Sequence, residues 1–181
     1  MKDPDLVERA RRFAEQAHHA INHRRKYSGR PYTEHLERVA ARVAEVTDDP
    51  AAIAAAWLHD VVEDTPATHA DIAREFGPRV GELVHAMTDV EKEHGNRDAR
   101  KAADRVRLAQ APSAAHTVKL ADVMDNAEDI AENDPHFARV FLREMGALLE
   151  VLTRGDPGLM AEARAMHARL APRRQGRPRS G

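Results

Sequence analysis

Apolar residues recur along most of the chain at the three-to-four-residue spacing of an amphipathic α-helix. No stretch alternates apolar and polar residues over the length of a strand, and only 4% of the residues are aromatic. The pattern therefore predicts an all-α fold, a bundle of about eight to ten helices. The first helix is expected from Pro4 to about Asn22, with an apolar stripe made of Leu6, Ala10, Phe13, Ala17 and Ile21.

Asp-Pro pairs mark several of the predicted helix starts. Asp accepts hydrogen bonds from free backbone amides and Pro has no amide to leave unpaired, so the pair favours a helix N-terminus. Thr68 and Asp71 resemble a capping arrangement, which predicts a short helix that stops near Gly77. The four Asp-Pro pairs are Asp3-Pro4, Asp49-Pro50, Asp134-Pro135 and Asp156-Pro157.

The apolar period and these start signals together predict the other helices. From Thr88 to Asp98 the period is lost, which indicates a mobile loop. The remaining helices are expected over 31–46, 51–65, 78–87, 99–109, 113–131, 135–153 and 157–170.

Length and charge narrow the classes of protein that the chain fits. With 181 residues, it has room for one substantial core, and we expect a single domain over residues 1–171. Residues 172–181 are rich in Pro, Gly and Arg and predict a basic, disordered tail. A formal charge of −2 favours neither nucleic acid nor a membrane surface as a partner. Without a signal core or a membrane-spanning run, a cytoplasmic location is expected.

The stretch from Ala51 to Thr65 carries the strongest chemical signal. Its first half is apolar on every side, which indicates a buried helix. Buried charges are costly unless a partner or a metal compensates them. This stretch nevertheless contains His59, Asp60, Glu63 and Asp64, which predicts a metal-dependent hydrolytic centre.

Any metal ligands must be His, Asp or Glu, because the chain has no cysteine. A site made of His35, His59, Asp60 and Asp122 would join two imidazoles and two carboxylates from three separate segments. This donor set suits a borderline divalent ion. Mn²⁺ fits a phosphate-cleaving site well, and Mg²⁺, Fe²⁺ and Zn²⁺ are alternatives.

Glu63 and Asp64 are candidates for proton transfer to and from a metal-activated water. The alternative is that they form the solvated C-terminal end of the helix. Negative charge at a helix C-terminus is opposed by the helix dipole, so we favour the catalytic interpretation.

Several polar residues outside this stretch have two possible roles. The basic cluster Arg24 to Lys26 suits a polyphosphate or a stacked base, or is a solvated loop. Asn126 falls on one helix stripe with Asp122 and Asp129, and that stripe is either part of the site or an exposed face. Lys119 is either a phosphate contact or a surface charge. Tyr32 could pack beside His35 or line a substrate pocket, and spacing alone assigns no role to the other histidines, among them His18 and His23.

Three segments resemble the hydrolase domain of the RelA/SpoT-type stringent-response enzymes in the HD-domain superfamily, most closely their stand-alone members, the small alarmone hydrolases. Arg24 to His35 carries the basic cluster and the first His, Trp57 to Thr65 contains the string HDVVEDT, and Val118 to Asn126 contains KLADVMDN. The resemblance runs in order and spacing from about Ala10 to Ile130.

The resemblance implies an all-helical HD fold, a Mn²⁺ ion on the four ligands named above, and removal of the 3′-pyrophosphate from ppGpp-like nucleotides. The family's catalytic Glu-Asp pair matches Glu63 and Asp64, and its nucleotide-contacting Asn matches Asn126. The family's Arg-Lys pair, which holds base and phosphate, matches Arg25 and Lys26, or Arg24 and Arg25 if the gap is placed differently.

We therefore expect a metal-dependent nucleotide 3′-pyrophosphohydrolase whose partner is a small-molecule nucleotide, a guanosine or adenosine alarmone such as (p)ppGpp or (p)ppApp. One alternative is another HD phosphohydrolase, acting on a nucleoside monophosphate or on the 2′-phosphate of NADPH. The other is a catalytically silent helical module that binds a nucleotide or a protein through contacts that include the Arg-rich tail.

Overall fold

Helices form the whole regular structure of the part of the chain that can be described. The computed structural model describes residues 4–89 and 95–171, and within these ranges it contains helices and no strand, which confirms the predicted all-α fold. The predicted basic tail and the middle of the predicted 88–98 loop lie outside them. The helices are α1 (Pro4–Ala20), α2 (Thr33–Val46), α3 (Pro50–Leu58), α4 (Val61–Asp64), α5 (His69–Phe76), α6 (Pro78–Met87), α7 (Arg97–Gln110), α8 (Ser113–Asn133), α9 (Pro135–Leu149) and α10 (Pro157–Leu170).

Helix α3 lies at the centre of the fold. All its residues from Ala51 to Leu58 are buried, and the helix packs against α1, α2, α6 and α8. Five of its nine residues are alanines, whose small side chains let the surrounding helices approach closely. The Asp49 side chain begins the helix by accepting a hydrogen bond from the Ala51 amide.

Helix α8 is the second central element. It buries residues on several sides, including His116, Leu120 and Asp122, and packs against α2, α3, α9 and α10. The start of α2, the end of α3 and the middle of α8 therefore meet, and the polar residues described below come from that junction. Of the helices in the two described ranges, not one has the combination of length and apolar character that crossing a membrane requires.

The prediction of one continuous helix from Ala51 to Thr65 is wrong. Helix α3 ends at Leu58, and a separate turn of helix begins at Val61. Nδ1 of the His59 ring hydrogen-bonds the carbonyl oxygen of Ala56 at 2.7 Å, which is the acceptor that the Asp60 amide would use in an unbroken helix. The break keeps His59 buried while Glu63 and Asp64, one turn later, are exposed.

Most predicted helix starts are confirmed, and the ends differ by a few residues. Asp49, Asp134 and Asp156 each cap a helix through a side-chain hydrogen bond, and Thr68 and Asp71 form the predicted capping box. The Asp of the first pair, Asp3, lies outside the described residues. Helix α7 begins two residues earlier than predicted, because the Asn96 side chain accepts from the Ala99 amide. Helix α1 ends at Ala20, α8 extends to Asn133 and α9 ends at Leu149.

The basic loop between α1 and α2 folds back on itself. Arg24 and Pro31 form an isolated antiparallel bridge, and the Arg25 amide donates to the Arg30 carbonyl at 2.9 Å. The loop turns at Gly29, whose φ of +69° glycine tolerates without strain. A tight turn follows Pro31, so α2 begins at Thr33, two residues later than predicted.

Candidate metal centre and cleft

Four side chains from three segments converge at the junction of α2, α3 and α8. His35 lies in the first turn of α2, His59 and Asp60 occupy the break between α3 and α4, and Asp122 lies in the middle of α8. Both histidines and Asp122 are buried, and Asp60 is partly buried. The structure thus brings together all four residues that the sequence nominated as ligands.

The potential ligand atoms form a compact group. Nε2 of His35 lies 3.3 Å from Nε2 of His59 and 3.3 Å from Oδ1 of Asp122. Oδ2 of Asp60 lies 3.1 Å from the His59 nitrogen and 3.6 Å from that of His35. Ligands bonded to one ion at about 2.1 Å are separated by ~3.0–3.5 Å for angles between octahedral and tetrahedral. The observed separations therefore fit a single divalent cation with little adjustment.

Both imidazoles are oriented with Nε2 toward this group. Nδ1 of His59 contacts the Ala56 carbonyl oxygen at 2.7 Å, and Nδ1 of His35 contacts Oδ2 of Asp125 at 2.6 Å. Carbonyl and carboxylate oxygens can only accept, so each Nδ1 carries the proton. The neutral form of each ring then has its lone pair on Nε2, the tautomer that binds a metal from this side.

Without a metal the centre holds protons instead. Burial opposes a charge on the two rings, but the surrounding carboxylates outweigh burial. They raise the pKa of His35 to about 9, and that of His59 well above its usual value. Burial likewise opposes a charge on the two carboxyl groups, but nearby cations outweigh it. The two histidines lower the pKa of Asp60 well below normal. Lys119 and the same histidines do so for Asp122. A bound divalent ion would have to displace the imidazole protons.

Asp125 supports the centre from behind, and the sequence reasoning missed it. It is buried, and besides contacting His35 it accepts from Nη1 of Arg25 and from Nε of Arg38, both at 2.5 Å. Burial alone would raise its pKa, but hydrogen bonds from His35, Arg38 and Arg25 hold that pKa well below its usual value. Its position three residues after Asp122 on the same helix was the available signal.

Tyr32 and Lys119 contact the two carboxylate ligands. The Tyr32 hydroxyl donates to Oδ2 of Asp60 at 2.5 Å, and Nζ of Lys119 donates to Oδ2 of Asp122 at 2.9 Å. Lys119 is largely enclosed; burial disfavours its charge, but Asp122, Asp89 and Glu63 raise its pKa well above the ordinary lysine value. Both side chains thus face the centre, which for Lys119 excludes the surface-charge alternative.

A cleft of about 210 Å³ opens beside the centre. Asp60 and Asp122 lie on its wall, so a ligand in the cleft would reach any ion held there. One part of the wall is apolar and is formed by Val123, Phe141 and Met145. The polar lining residues are Tyr32, Glu63, Asp89, Arg97, Lys101, Lys119, Asn126 and Glu144.

The two predicted catalytic acids lie on α4 and differ in their surroundings. Glu63 lines the cleft, and its Oε1 accepts from the Asp89 amide at 2.6 Å. Asp64 is not among the cleft-lining residues, and its Oδ2 lies 3.9 Å from Nδ1 of His23. Both residues are exposed at the surface, yet desolvation of their carboxyl groups, followed by the charge of Asp60, raises the pKa of Glu63 to about 8 and that of Asp64 to about 7.

The predicted substrate contacts are divided between the cleft and its surroundings. Asn126 lines the cleft and donates to Oδ1 of Asp122 at 2.8 Å. Arg25 is buried, and its guanidinium is paired with Asp125 at 2.5 Å and Asp129 at 3.0 Å. Exposed Lys26 lies 5.0 Å from the Tyr27 ring centroid, and exposed Arg24 donates to Asn22. None of the three basic residues is among those that line the cleft.

A second group of potential ligands lies next to the first. His18, His23 and Asp64 have ligand atoms within 4.8 Å of one another. The Nδ1 atoms of the two rings are 2.8 Å apart, so one donates to the other. A metal on both Nδ1 atoms would force a proton onto the buried Nε2 of His18, which has no hydrogen-bond partner. The hydrogen bond therefore accounts for this pair better than an ion does.

Comparison with known sequences relates the chain to HD domain proteins. The profile of the HD domain family matches residues 10–153. A guanosine-3′,5′-bis(diphosphate) 3′-pyrophosphohydrolase from Aquifex aeolicus is 33% identical over 125 residues, 68% of this chain and 18% of that protein. The bifunctional (p)ppGpp synthase/hydrolase SpoT of Escherichia coli is 40% identical over 88 residues, 49% of this chain and 12% of that protein. The chain therefore spans less than a fifth of the length of these curated relatives.

Comparison with solved structures extends the likeness to nearly the whole chain. A metazoan ortholog of SpoT, described as hydrolysing ppGpp, superposes with a TM-score of 0.82 at 27% identity, and the match covers 93% of this chain and 97% of that one. A protein from Listeria monocytogenes superposes with a TM-score of 0.67 at 22% identity, covering 80% of this chain and 98% of that one, and shares the fold.

Proposed function

The chain belongs to the HD domain family, and we propose that it is a metal-dependent nucleotide 3′-pyrophosphohydrolase. In the proposed reaction, water replaces the ribose 3′-oxygen on phosphorus, so that a nucleotide 3′-diphosphate yields pyrophosphate and a free 3′-hydroxyl. The observation that carries the proposal is the buried group of two imidazoles and two carboxylates on the wall of a cleft that also contains Glu63. The names of the relatives support guanosine alarmones such as (p)ppGpp as substrates, and adenosine alarmones stay within the proposal.

The residues that would hold the metal are His35, His59, Asp60 and Asp122. Their mixed nitrogen and oxygen donors support Mn²⁺, with Mg²⁺, Fe²⁺ and Zn²⁺ as the other candidates. When bound, such an ion lowers the pKa of a water molecule and offsets negative charge on phosphate oxygens. Tyr32 and Lys119 would fix the orientation of the two carboxylates by the hydrogen bonds described above.

Proton transfer is assigned to Glu63 and Asp64. Oε1 of Glu63 is held by the Asp89 amide, which leaves Oε2 to exchange a proton with the attacking water or with the leaving 3′-oxygen. Desolvation, followed by the charge of Asp60, raises the pKa of this carboxyl in the metal-free protein, and a carboxyl whose pKa is raised toward neutrality is suited to proton exchange. Asp64 follows in the same turn and keeps its predicted role as the second acid.

Substrate contacts are assigned first to cleft residues that carry donors. Asn126 and Lys119 lie beside Asp122 and suit phosphate or sugar oxygens. Arg97 and Lys101 line the same cleft and are paired there with Glu144 and Asp89. They would bind a diphosphate by exchanging these carboxylates for phosphate oxygens. Arg24 and Lys26 stay predicted contacts, although neither is among the residues that line the cleft. A direct contact from Arg25 also stays a prediction, and it would require its guanidinium to leave a carboxylate partner.

A substrate panel with a metal titration tests the proposal. The full chain is incubated with Mn²⁺ and, in turn, ppGpp, pppGpp, ppApp, pppApp, a nucleoside monophosphate and NADPH, and pyrophosphate and orthophosphate are measured separately. We expect pyrophosphate release from at least one alarmone and none from an Asp60→Ala variant. Orthophosphate release from the monophosphate or NADPH alone would establish the other HD phosphohydrolase instead. Absence of any product, with nucleotide binding unaffected by a chelator, would favour the silent module.

A further inference from the structure

Asp125 connects the metal centre to a cluster of ion pairs beneath it. Its Oδ2 contacts Nδ1 of His35 at 2.6 Å and Nη1 of Arg25 at 2.5 Å, while its Oδ1 accepts from Nε of Arg38 at 2.5 Å. Arg25 also pairs with Asp129, at 3.0 Å. The two guanidinium groups and two carboxylates balance one another in charge. The side chains of Arg25, Asp125 and Asp129 are mostly buried, whereas that of Arg38 is 47% exposed.

The two arginines fix the direction in which Asp125 points. Arg25 comes from the loop after α1, Arg38 from α2, and Asp125 itself from α8. The Asp125 carboxylate therefore has all its donors only when these three segments are packed together. Hydrogen bonds between ionised partners are shorter and stronger than neutral ones. The side chains of Asp125 and Arg25 are only 6% and 4% exposed, so water has little access to this pair, whereas the Arg38 side chain is 47% exposed.

Of the two imidazoles, His35 is the one whose orientation depends on a side chain. The other imidazole, His59, is held by the backbone carbonyl of Ala56, which no substitution of a side chain removes. The carboxylate can only accept from Nδ1 of His35, and this places the lone pair of the neutral ring on Nε2. That atom lies 3.3 Å from Oδ1 of Asp122 and 3.6 Å from Oδ2 of Asp60, inside the group of potential ligands.

We propose that Asp125 is a positioning residue of the metal centre, which holds His35 in the Nδ1–H tautomer and is itself held by Arg25 and Arg38. This inference rests on the proposed metal-dependent function. In this arrangement Arg25 acts on the reaction through the metal ligand, whereas its neighbours Arg24 and Lys26 are exposed. A carboxylate behind a metal-bound histidine typically changes metal affinity by about 10- to 100-fold when it is replaced.

Asp125→Asn is the direct test, because an amide keeps the size of the side chain but can donate to Nδ1 and favour the wrong tautomer. Mn²⁺ binding to the full chain is measured by calorimetry, after circular dichroism has shown that the variant is folded. We expect the Mn²⁺ dissociation constant to rise by about 10- to 100-fold. Asp129→Asn is the matched control: it removes the other carboxylate partner of Arg25, on the same helix, without touching His35. Its Mn²⁺ dissociation constant should stay within about threefold of the wild-type value, since the contacts of His35 are unchanged.

The His35 tautomer provides a readout that a purely structural role would not change. In the Zn²⁺-loaded, ¹⁵N-labelled wild type, proton–nitrogen correlation spectra should show a proton on Nδ1 of His35 and the metal on Nε2. In Asp125→Asn the Nδ1 proton signal should be lost or exchange faster with water, while that of His59 persists.

Three outcomes would overturn the inference. Asp125→Asn could bind Mn²⁺ as tightly as the wild type, Asp129→Asn could weaken binding equally, or the wild type could carry its His35 proton on Nε2. The last result requires no variant and decides the matter even if Asp125→Asn does not fold. A wild type that binds no divalent ion would instead overturn the proposed function itself, so the two failures are distinguishable.

Discussion

The Nε2 atoms of His35 and His59 lie 3.3 Å apart, although the two residues belong to different helical segments. Each ring is held from behind by an acceptor on Nδ1, the Asp125 carboxylate in one case and the Ala56 carbonyl in the other. Each of these inward-facing nitrogens can bind a proton or a metal ion, but not both at once. Competition between proton and cation is therefore built into the centre.

This competition predicts that metal binding releases protons. The pKa of His35 is raised from 6.5 to about 9 in the metal-free protein, so at pH 7.5 the ring is protonated and a cation must displace that proton. Because the proton is bound more weakly as pH rises, apparent Mn²⁺ affinity should increase from pH 6.5 toward pH 9. Calorimetry in two buffers with different ionisation enthalpies measures the number of protons released. A pH-independent affinity without proton release would contradict the prediction.

Substitutions of Asp60 and Glu63 should show that metal binding and catalysis depend on different residues. Asp60→Ala removes a ligand and should abolish Mn²⁺ binding and pyrophosphate release together. Glu63→Gln keeps the size of the side chain and should bind Mn²⁺ normally, but kcat should fall by about 10²- to 10⁴-fold because a proton-transfer group is lost. Glu82→Gln, at an exposed position on α6, is the matched control and should keep full turnover. If Glu63→Gln retains wild-type kcat, the assignment of Glu63 to proton transfer is wrong.

Lys119→Met should have opposite effects on metal and nucleotide. Lys119 donates to Asp122 at 2.9 Å and lies 4.0 Å from Asp89, so removing its charge leaves the buried carboxylate of Asp122 and the partly exposed one of Asp89 less compensated. The metal-free protein should lose about 3 kcal/mol of stability, and Mn²⁺ should restore part of it and bind more tightly than in the wild type. The KM for the nucleotide should rise, because a cation in the cleft is lost. Denaturant unfolding with and without Mn²⁺ checks the first effect, and a KM that does not change would contradict the second.

Gly81→Ala should destabilise the fold without altering the centre. A Cβ at Gly81 would lie 2.9 Å from Cβ of Ala73, where α5 and α6 pack face to face. Because backbone must move to accommodate it, we expect a loss of about 1–3 kcal/mol in the free energy of unfolding. Adding Ala73→Gly should recover part of that loss by restoring the space. Mn²⁺ affinity should match that of the wild type, and a variant as stable as the wild type would show that these helices separate freely.

Local sequence signals determined the helices and the chemistry of the ligands. Asp49, Asp134 and Asp156 cap helices by accepting hydrogen bonds from backbone amides two or three residues later in the chain. Pattern and residue type were therefore enough to predict those helix starts. The buried first half of the 51–65 stretch was also predictable, since a run of eight apolar residues indicates a helix buried on every side. His59, Asp60, His35 and Asp122 were nominated because such groups at buried positions require compensation.

Only the tertiary structure decided which partners those side chains have. Arg25 and Asp125 are 100 residues apart in sequence, and only the folded chain shows that the Arg25 guanidinium is buried and paired with that carboxylate. The break at His59 depends on a ring that is held between α3 and the ligand group, which helical periodicity cannot reveal. Glu63 and Asp64 are adjacent in sequence, yet only Glu63 lines the cleft. Residue type and spacing specify what a side chain can do, whereas its burial and its partners depend on segments distant in the chain.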